Sequence, residues 1–577
     1  MNFEEKAQSW LKSTKLSSSA REQIKDLKID PLAFEDAFYK DLEFGTGGLR
    51  GLMGIGSNRI NEYTIAMATQ GFANYLKEVF PNEKVKVVIA HDSRNNAGLY
   101  TRVTAEVFSA NDIFVYLFKE LRPTPTLSFA IRALKCHGGV VLTASHNPKE
   151  YNGYKAYWND GAQLIPPHDE KVISYVKSIN TIDEIKFDKK SELIKYLDDT
   201  IDMQYIDMIT SLSLNTPQKN KTSNLNIVFS PIHGTGVTLV PLALERFGFE
   251  NITVVTEQSQ PNGDFPTVIY PNPEEAEALE IALKTGKNIN ADLVLATDPD
   301  ADRVGIAAKN TNQEFELLSG NQTAVLLIYY LLKKWKENKQ LKGKEYILKS
   351  IVTTDLISAI ATHFKVDCFD TLTGFKYIAE KIRKLENTHT FIGGGEESYG
   401  YLIGDHVRDK DAVMSCAMIA ELTAWAKEQN KTLFDLLIDI WMKFGLYQEG
   451  LISITKKGKS GAQEIERIMK TLRTTPPTIL NNLFITDIID YSNLKHLKTK
   501  SKKIISLDSP ESNVLQFITE NGSKISIRPS GTEPKIKIYF SVHSSLKSRS
   551  ELKERKDKLN SQISKLSTSL IKHFQIT

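Results

Sequence analysis

The chain has 577 residues, of which 41% are hydrophobic and 25% are charged, an ordinary composition for a globular protein. Its 73 basic and 70 acidic residues give a formal charge of only +3 at pH 7, which does not indicate a dedicated nucleic-acid binder. At roughly 150 residues per domain, this length predicts about four domains rather than one core.

The cysteines and the apolar segments indicate the redox environment of the protein and whether it associates with a membrane. Cys136, Cys368 and Cys416 are widely spaced and form no CxxC pair, so we expect neither a disulfide framework nor a zinc site. A reducing, cytoplasmic location fits this pattern best. The polar N-terminus does not have the pattern of a signal peptide. The apolar run Thr323–Leu332 is too short to cross a bilayer and predicts a buried helix, so we expect no membrane partner.

Four short apolar runs along the chain are each followed by a polar loop and a helix-like segment. They cover Val85–Ala90, before the loop HDSR, and then Gly139–Leu142, Leu225–Phe229 and Leu293–Ala296. Apolar strands that alternate with helices predict α/β layers with buried, mostly parallel sheets. Ligands bind beyond the carboxyl ends of such strands, so the loops after these runs are the candidate sites.

The predicted domains follow from changes in this pattern. The polar stretch Asn215–Asn224 is expected to connect the first α/β unit to a second. The C-terminal part lacks the repeated strand, loop and helix order and predicts an α+β domain, whose basic helix presents a solvated lysine-rich face. We expect domains at 1–200, 201–315, 316–445 and 446–577, the first three being related α/β units with mixed, mostly parallel sheets.

The segment Thr143–Pro148 (TASHNP) contains the first candidate catalytic group. Its residues favour a turn, but Ser145 follows a buried strand, where a reactive group would project. The surroundings are not G-x-S-x-G, so the α/β-hydrolase arrangement is absent. Ser145 with His146 beside it and Lys155 ten residues later suits a hydroxyl that carries a phosphoryl group, because phosphoryl transfer depends on cations and positioning.

The segment DPDADR places three carboxylates, Asp298, Asp300 and Asp302, at alternate positions just past a strand. Oxygen ligands of this kind favour Mg²⁺ or Ca²⁺. An EF-hand is excluded because Arg303 and Lys309 stand where that loop needs glycine and glutamate. Asp302 also argues against a phosphatase of the haloacid-dehalogenase type, although another type of metal phosphatase stays open.

Two later segments offer groups for a sugar phosphate. Gly393–Gly400 (GGGEESYG) combines flexible backbone with Glu396 and Ser398, which can bind sugar hydroxyls. It does not match the dinucleotide pattern G-x-G-x-x-G, since Ser398 takes the last place. Arg528–Lys535 (RPSGTEPK) offers an arginine and two hydroxyls, which suit a phosphate.

Taken in order, TASHNP, DPDADR, GGGEESYG and RPSGTEPK strongly resemble the α-D-phosphohexomutase superfamily, as does the early segment Phe44–Gly51 (FGTGGLRG). The resemblance spans nearly the whole chain. It implies four domains around one central cleft, each contributing one loop. It also implies Mg²⁺, a phosphoserine, and the exchange of a phosphate between C1 and C6 of a hexose through a hexose 1,6-bisphosphate.

The resemblance also implies a role for each matching residue. Ser145 would carry the phosphoryl group, and one of its phosphate oxygens would bind Mg²⁺ together with Asp298, Asp300 and Asp302. Lys155 would be the general acid or base, with His146 as the alternative. The residues expected around the transferring phosphate are Arg50, His146, Lys155 and Arg303. The residues expected to bind the sugar and its distal phosphate are Thr373, Gly374, Glu396, Ser398, Arg408, Lys410, Arg528, Ser530, Gly531 and Thr532.

The branch of the family bears on the substrate. The segments FPTV, at 265–268, and PNPEE, at 271–275, resemble the longer phosphoglucomutase and phosphopentomutase-like members. The sugar loop GEESYG favours glucose, with mannose and pentose substrates as alternatives. We expect small-molecule sugar phosphates as partners and a monomer or small homo-oligomer. A metal-dependent sugar phosphatase and a sugar-phosphate binder without turnover are the competing classes.

Overall fold

The computed structural model describes residues 2–43, 48–456, 458–530 and 535–574, without the side chains of 458 and 459. The strands in these residues form four sheets that follow one another along the chain. The first three mix parallel and antiparallel pairs and are covered by helices, and the fourth is antiparallel. This arrangement confirms the predicted fold class. None of the helices in the described residues is long and apolar enough to span a bilayer.

The first sheet has the strand order β1-β5-β4-β2-β3-β6. Its elements, with the three helices that precede it, are α1 (Phe3–Lys12), α2 (Ser18–Leu27), α3 (Pro31–Phe38), β1 (Gly48–Leu52), α4 (Glu62–Val79), β2 (Lys86–His91), α5 (Ala97–Ala110), β3 (Phe114–Phe118), α6 (Thr124–Ala133), β4 (Gly138–Leu142), β5 (Tyr151–Trp158), α7 (His168–Lys177) and β6 (Ile194–Leu197). Short 3-10 turns lie at Ile182–Glu184 and Ser191–Leu193.

The second sheet has the order β11-β10-β9-β7-β8. Its elements are α8 (Thr200–Thr210), α9 (Pro217–Thr222), β7 (Ile227–Ser230), α10 (Gly236–Arg246), β8 (Ile252–Val254), α11 (Thr256–Ser259), α12 (Ala276–Asn288), β9 (Leu293–Thr297), β10 (Val304–Lys309) and β11 (Phe315–Leu318). The polar stretch 215–224 was expected to be a plain connection, but it contains α9. The reason is local: Thr216 caps this short helix by accepting from the backbone of Lys219, and Pro217 occupies its first turn.

The third sheet has the order β13-β12-β14-β15. Its elements are α13 (Gly320–Glu337), β12 (Glu345–Ser350), α14 (Leu356–Phe364), β13 (Asp367–Thr371), α15 (Phe375–Leu385), β14 (Thr390–Gly395), β15 (Tyr401–Ile403), α16 (Ala412–Lys427) and α17 (Leu433–Phe444). The predicted buried helix at Thr323–Leu332 is confirmed, because it lies within α13 and is buried along most of its length. Ser319 and Gln322 form a capping box that starts this helix.

The fourth sheet has the order β16-β23-β22-β21-β18-β19-β20, with β17 paired to β18. Its elements are β16 (Leu446–Thr455), α18 (Gly458–Thr474), β17 (Ile479–Leu480), β18 (Leu483–Asp490), β19 (Lys495–Lys498), β20 (Lys503–Ser506), β21 (Leu515–Thr519), β22 (Lys524–Pro529), β23 (Lys535–Ser544) and α19 (Leu552–Phe574), with a 3-10 turn at Arg549–Glu551. The leucine and isoleucine spacing of residues 543–572 predicts a C-terminal helix, and α19 begins only at Leu552 because β23 continues to Ser544.

Alternate residues of the buried strands serve two different apolar clusters. In β2, Val87 and Ile89 belong to a cluster that stays within the first unit and includes its sheet, the three N-terminal helices and the helices α4, α5 and α7. Val88 and Ala90 point the other way, into a cluster that continues through all four sheets as far as Phe574. A strand buried on both faces must be apolar at every position, which explains the uninterrupted runs in the sequence.

Candidate active site

Ser145 lies in the loop between β4 and β5 and is only 3% exposed. Its backbone is in the left-handed region, with φ of 52°. The Ser145 hydroxyl donates a hydrogen bond of 2.7 Å to Asp298 Oδ2, and it lies 3.2 Å from Nδ1 of His146. The loop after β4 in the first sheet therefore meets the loop after β9 in the second sheet.

The carboxylates of Asp298, Asp300 and Asp302 form a buried cluster beyond β9. Each offers an oxygen that lies within 4.8 Å of the others, an arrangement that can hold a metal ion. Two further observations fit a cation here, since Asp300 Oδ1 and Asp302 Oδ1 are buried and have no hydrogen-bond partner within the described part of the chain. An all-oxygen donor set is the kind that Mg²⁺ prefers.

Two lysines offset part of the negative charge of this cluster. Lys155 Nζ, from β5, donates to Asp300 Oδ2 at 2.6 Å and to Asp302 Oδ2 at 3.0 Å. Lys410 Nζ lies 3.1 Å from Asp302 Oδ2. Burial works to raise the pKa of Asp302, but the two lysines outweigh it and lower that pKa. Asp298 lacks such a partner, and burial together with Asp300 and Asp302 raises its pKa well above the ordinary value.

The two candidates for proton transfer differ in charge state. Burial and the cations Arg303 and Arg50 lower the pKa of His146 well below its usual 6.5, so this ring is neutral at physiological pH. The side chain of Lys155, in contrast, is charged. Burial alone would lower its pKa, but Asp300 and Asp302 outweigh burial and raise it above 10.5, so the amine is protonated.

The arginines predicted around the transferring phosphate both lie beside the serine loop. Arg50, on β1, is exposed and donates to Asn147 Oδ1 at 3.2 Å. The neighbouring Phe44–Gly47 part of its motif is outside the described residues. Arg303 follows the carboxylate cluster, and its Nη1 pairs with Glu274 Oε1 at 2.5 Å. Its Nε is buried and makes no hydrogen bond to any residue that the structure describes, so this donor can serve a ligand.

The sugar-loop residues come together at the end of β14. Glu396 is 5% exposed and accepts a hydrogen bond of 2.7 Å from the backbone N–H of Gly374. Burial and the adjacent Glu397 raise the pKa of Glu396 to about 7. Next to Gly374, Thr373 Oγ1 is buried without a hydrogen-bond partner. Ser398 is half-buried in the turn after Glu396.

Arg408 and Lys410 were both expected to contact the substrate, and their side chains have different partners in the structure. The Arg408 guanidinium turns away from the carboxylate cluster and donates to Glu386 Oε1 at 3.0 Å. Lys410 instead reaches Asp302 and packs over Gly400, where a Cβ would lie 2.2 Å from the Lys410 side chain. Arg408 thus stabilises the loop that carries Lys410 and is not brought to the cluster.

Arg528 is the penultimate residue of β22. Tyr539, on the neighbouring strand β23, lies close to Arg528 and to Glu397 and Glu396 of the sugar loop. The Ser530 N–H donates to the Lys535 carbonyl at 2.7 Å, which closes the turn from β22 to β23. Gly531 and Thr532, predicted to be in the same cradle, lie outside the described residues.

Four family models match consecutive parts of the chain. They are described as phosphoglucomutase/phosphomannomutase alpha/beta/alpha domains I, II and III, matched at residues 41–183, 203–312 and 319–444, and the C-terminal domain, matched at residues 454–558. The chain belongs to the phosphoglucomutase/phosphomannomutase family. These matches confirm the superfamily that the sequence motifs resemble.

Curated relatives in this family include phosphoglucomutases of two staphylococci. The protein of Staphylococcus haemolyticus is 37% identical over 515 residues, covering 88% of this chain and 92% of its own length. That of Staphylococcus aureus is 36% identical over 512 residues, covering 88% and 90%.

Solved structures of the family share the fold. One is a phosphomannomutase homologue of Thermus thermophilus, with a TM-score of 0.66, 21% identity, and coverage of 91% of this chain and 99% of that one. Another is parafusin, a phosphoglucomutase of Paramecium, with a TM-score of 0.68, 20% identity, and coverage of 93% and 96%.

Sequence reasoning missed two residues at this family site, Glu274 and Lys537. Glu274 pairs with Arg303 across the second unit. Lys537 on β23 is directly opposite Arg528, and its pKa is lowered by burial and by Lys535, with Glu274 and Glu397 nearby. The spacing of Lys535 and Lys537 could have revealed it, because residues two apart in a strand share one face.

Proposed function

We propose that this protein is a phosphoglucomutase that interconverts glucose 1-phosphate and glucose 6-phosphate. The phosphate would pass through a phosphoserine at Ser145 and a hexose 1,6-bisphosphate. The observation that carries the proposal is the hydrogen bond of 2.7 Å between Ser145 Oγ and Asp298, which sets a nucleophile against a buried carboxylate cluster. A hydroxyl held there can accept and return a phosphoryl group.

Asp298, Asp300 and Asp302 would hold Mg²⁺, with an oxygen of the phosphorylated Ser145. When bound, such a cation neutralises charge on the transferring phosphoryl group. The protein contributes positive groups of its own around the same place. Among the residues described, none makes a hydrogen bond with Arg303 Nε, which would bind the phosphate. Arg50 is exposed beside the serine loop and could reach the phosphate from that side.

Lys155 would be the general acid, and His146 would orient the serine. Asp300 and Asp302 raise the pKa of Lys155, so the amine is protonated before transfer. When the phosphoryl group passes from Ser145 to a sugar hydroxyl, the Lys155 ammonium would give a proton to Ser145 Oγ, and the resulting amine would take the proton that the sugar hydroxyl loses. In the return transfer the same exchange would run in the opposite direction. His146 is neutral, and its Nδ1, at 3.2 Å from the hydroxyl of Ser145, would fix the direction in which that oxygen points.

Glu396, Ser398 and the backbone of Thr373–Gly374 would bind the sugar. A carboxylate accepts hydrogen bonds from two adjacent hydroxyls and so reads their relative orientation. Lys410 would contact the sugar phosphate from the same side. Its contact with Asp302 at 3.1 Å supports that role.

Arg528 and Ser530 would hold the distal phosphate, with Gly531 and Thr532 of the same loop. We add Lys537 to this group because it lies opposite Arg528.

The domain division proposed here is near residues 200, 318 and 445. The second boundary is moved from 315 to 318 because β11 pairs with β10 of the second sheet.

A product assay across sugars tests the proposal. The protein is supplied with Mg²⁺, glucose 1,6-bisphosphate and the 1-phosphates of glucose, mannose, glucosamine or ribose. Glucose 6-phosphate should form fastest, and the Ser145→Ala variant should lose several orders of magnitude in rate and carry no phosphate in a peptide mass analysis. Release of inorganic phosphate instead would identify a phosphatase. Binding without any product would identify a silent binder.

A further inference from the structure

The loop after β2 contains a buried arginine that the proposed mechanism does not use. Arg94 is 3% exposed, and the nearby Asp92 is 1% exposed. Both lie next to the serine loop. Arg94 Nε lies 3.4 Å from Asp92 Oδ2, an ion-pair distance. The hydrogen bonds of its two terminal nitrogens show what the buried arginine stabilises.

The guanidinium of Arg94 donates hydrogen bonds to four backbone carbonyls of the serine loop. Nη2 donates to the carbonyl of Ser145 at 2.6 Å and also to that of Asn147. Nη1 donates to the carbonyls of Pro148 at 2.8 Å and Tyr151 at 2.9 Å. A planar fork of donors can serve four carbonyls from two sides, whereas a lysine has three donors on one atom.

Asp92 closes a ring of hydrogen bonds around the serine peptide. Its Oδ2 accepts from Thr143 Oγ1 at 2.6 Å, and Thr143 Oγ1 in turn accepts from the N–H of Ser145 at 2.8 Å. Its Oδ1 accepts from the backbone N–H of Arg94 at 2.9 Å. The N–H of Ser145 is thus held through Thr143, and its carbonyl is held by Arg94.

This ring surrounds a residue in an unfavourable conformation. The left-handed backbone of Ser145 is unfavourable for a residue with a side chain, so it persists only where neighbours enforce it. The same conformation directs the hydroxyl toward Asp298. The Arg94 guanidinium also lies 5.2 Å from the ring centre of Phe265, which belongs to the second unit. Arg94 therefore contacts both units whose loops meet at the serine.

We propose that Arg94 is a positioning residue that, together with Asp92 and Thr143, holds Ser145 in the conformation from which its hydroxyl reacts. The inference deepens the proposed function and rests on it, since the reaction of Ser145 belongs to that proposal. Arg94 does not touch the sugar site, which is built on the loops after β13 and β14. Its loss should therefore slow turnover while leaving substrate affinity nearly unchanged.

The test compares the Arg94→Lys variant with the unsubstituted protein and with a control variant, Arg473→Lys. Arg473 is also an ion-paired arginine, 3.1 Å from Asp490, but it lies in the fourth unit on the helix α18 (Gly458–Thr474) and not on β22 or β23. Two readouts are taken: amide hydrogen exchange of the peptide spanning 143–151, and kcat and KM for glucose 1-phosphate. Arg94→Lys should speed exchange in that peptide at least tenfold and lower kcat about 30- to 1000-fold, with KM changed less than threefold. The control should change neither readout.

Unchanged exchange in Arg94→Lys, a rise in KM at constant kcat, or equal losses in the control would each overturn the proposal. If Arg94→Lys does not fold, Thr143→Val removes the link on the other side of Ser145, and the same signature is expected from it. If Thr143→Val leaves hydrogen exchange and kcat unchanged, the ring of hydrogen bonds does not position Ser145. Absence of mutase turnover in the unsubstituted protein would overturn the proposed function, and the exchange result would then decide the role of Arg94 alone.

Discussion

Replacing Glu396 with glutamine tests whether the buried charge of this carboxylate lowers the stability of the folded protein. Glu396 is 5% exposed, and burial with the adjacent Glu397 raises its pKa from 4.5 to about 7. A rise of this size corresponds to roughly 3 kcal/mol of unfolding free energy, since a tenfold change in proton affinity is worth about 1.4 kcal/mol. The carboxylate therefore destabilises the fold whenever it is charged.

The sign of the pH dependence follows from which state of the chain loses the proton first. Below about pH 4.5 the carboxyl is protonated in the folded and the unfolded chain, and burial carries no charge penalty. As the pH rises toward about 7, the unfolded chain ionises first and the fold loses stability; above about 7 the full penalty is present. Glutamine cannot ionise, so Glu396→Gln should be more stable than the parent at about pH 8, by a margin that shrinks toward about pH 5.

Thermal unfolding at these two pH values is the assay. Because the four units share an apolar interior, we expect the whole chain of 577 residues to melt together. An unfolding entropy of about 2.1 cal/mol/K per residue then makes 1 kcal/mol worth about 1 °C, so the variant should melt up to roughly 2–3 °C higher at the alkaline pH. Glu345→Gln, in the same sheet, is a control of opposite sign. Burial would raise the pKa of Glu345, but hydrogen bonds from the backbone N–H groups of Lys342, Gly343 and Lys344 outweigh it and lower that pKa. That variant should lose stability at alkaline pH.

The same substitution should also weaken the sugar site. Loss of a charged hydrogen bond costs about 1.5–3 kcal/mol, or roughly 10- to 150-fold in kcat/KM, and the loss should differ between glucose and mannose 1-phosphates. A Glu396→Gln protein that is no more stable at pH ~8, or whose advantage is equal at both pH values, would refute the argument from burial. Equal losses with both sugars would mean that Glu396 positions the loop without reading the ring.

Two further predictions concern the metal and the distal phosphate. Chelation should abolish activity and Mg²⁺ should restore it; full activity of Asp300→Asn in the presence of a chelator would contradict the assignment of the carboxylate cluster. Arg528→Ala should raise KM in both directions by similar factors, roughly 10- to 150-fold, and should release more bisphosphate per turnover. Lys537→Met should raise KM in the same way, because Lys537 lies opposite Arg528 on the neighbouring strand. Damage confined to one direction of the reaction would be inconsistent with a shared phosphate clamp.

The strands that carry the site could be predicted because each is buried on both faces. Gly139–Leu142 was expected from the sequence and Gly138–Leu142 is observed, and the run at Leu293–Ala296 extends by one residue to Thr297. A polar residue directly after such a run lies beyond the carboxyl end of its strand, where loops from other units can reach it. The meeting of Ser145 with Asp298 was expected only from the family resemblance, since no local pattern relates residues 153 positions apart.

Side-chain direction was the part that the sequence could not provide. Arg408 and Lys410 stand two residues apart in one motif, but packing turns Arg408 toward Glu386 and leaves Lys410 with Asp302. Lys537 escaped notice because it follows its motif instead of belonging to it. Arg94 shows the same limit: its sequence context indicates a loop after a strand, and only the folded chain brings four carbonyls around its guanidinium.

The apolar cluster that continues through all four sheets means that the units share an interior. Residues from Val88 in the first sheet to Phe574 in the last helix belong to it. A fragment cut at any of the three junctions would expose part of that interior to water and would tend to aggregate. The four units are thus closer to one cooperative body than to separable modules, and a destabilising substitution in one of them weakens the packing of its neighbours.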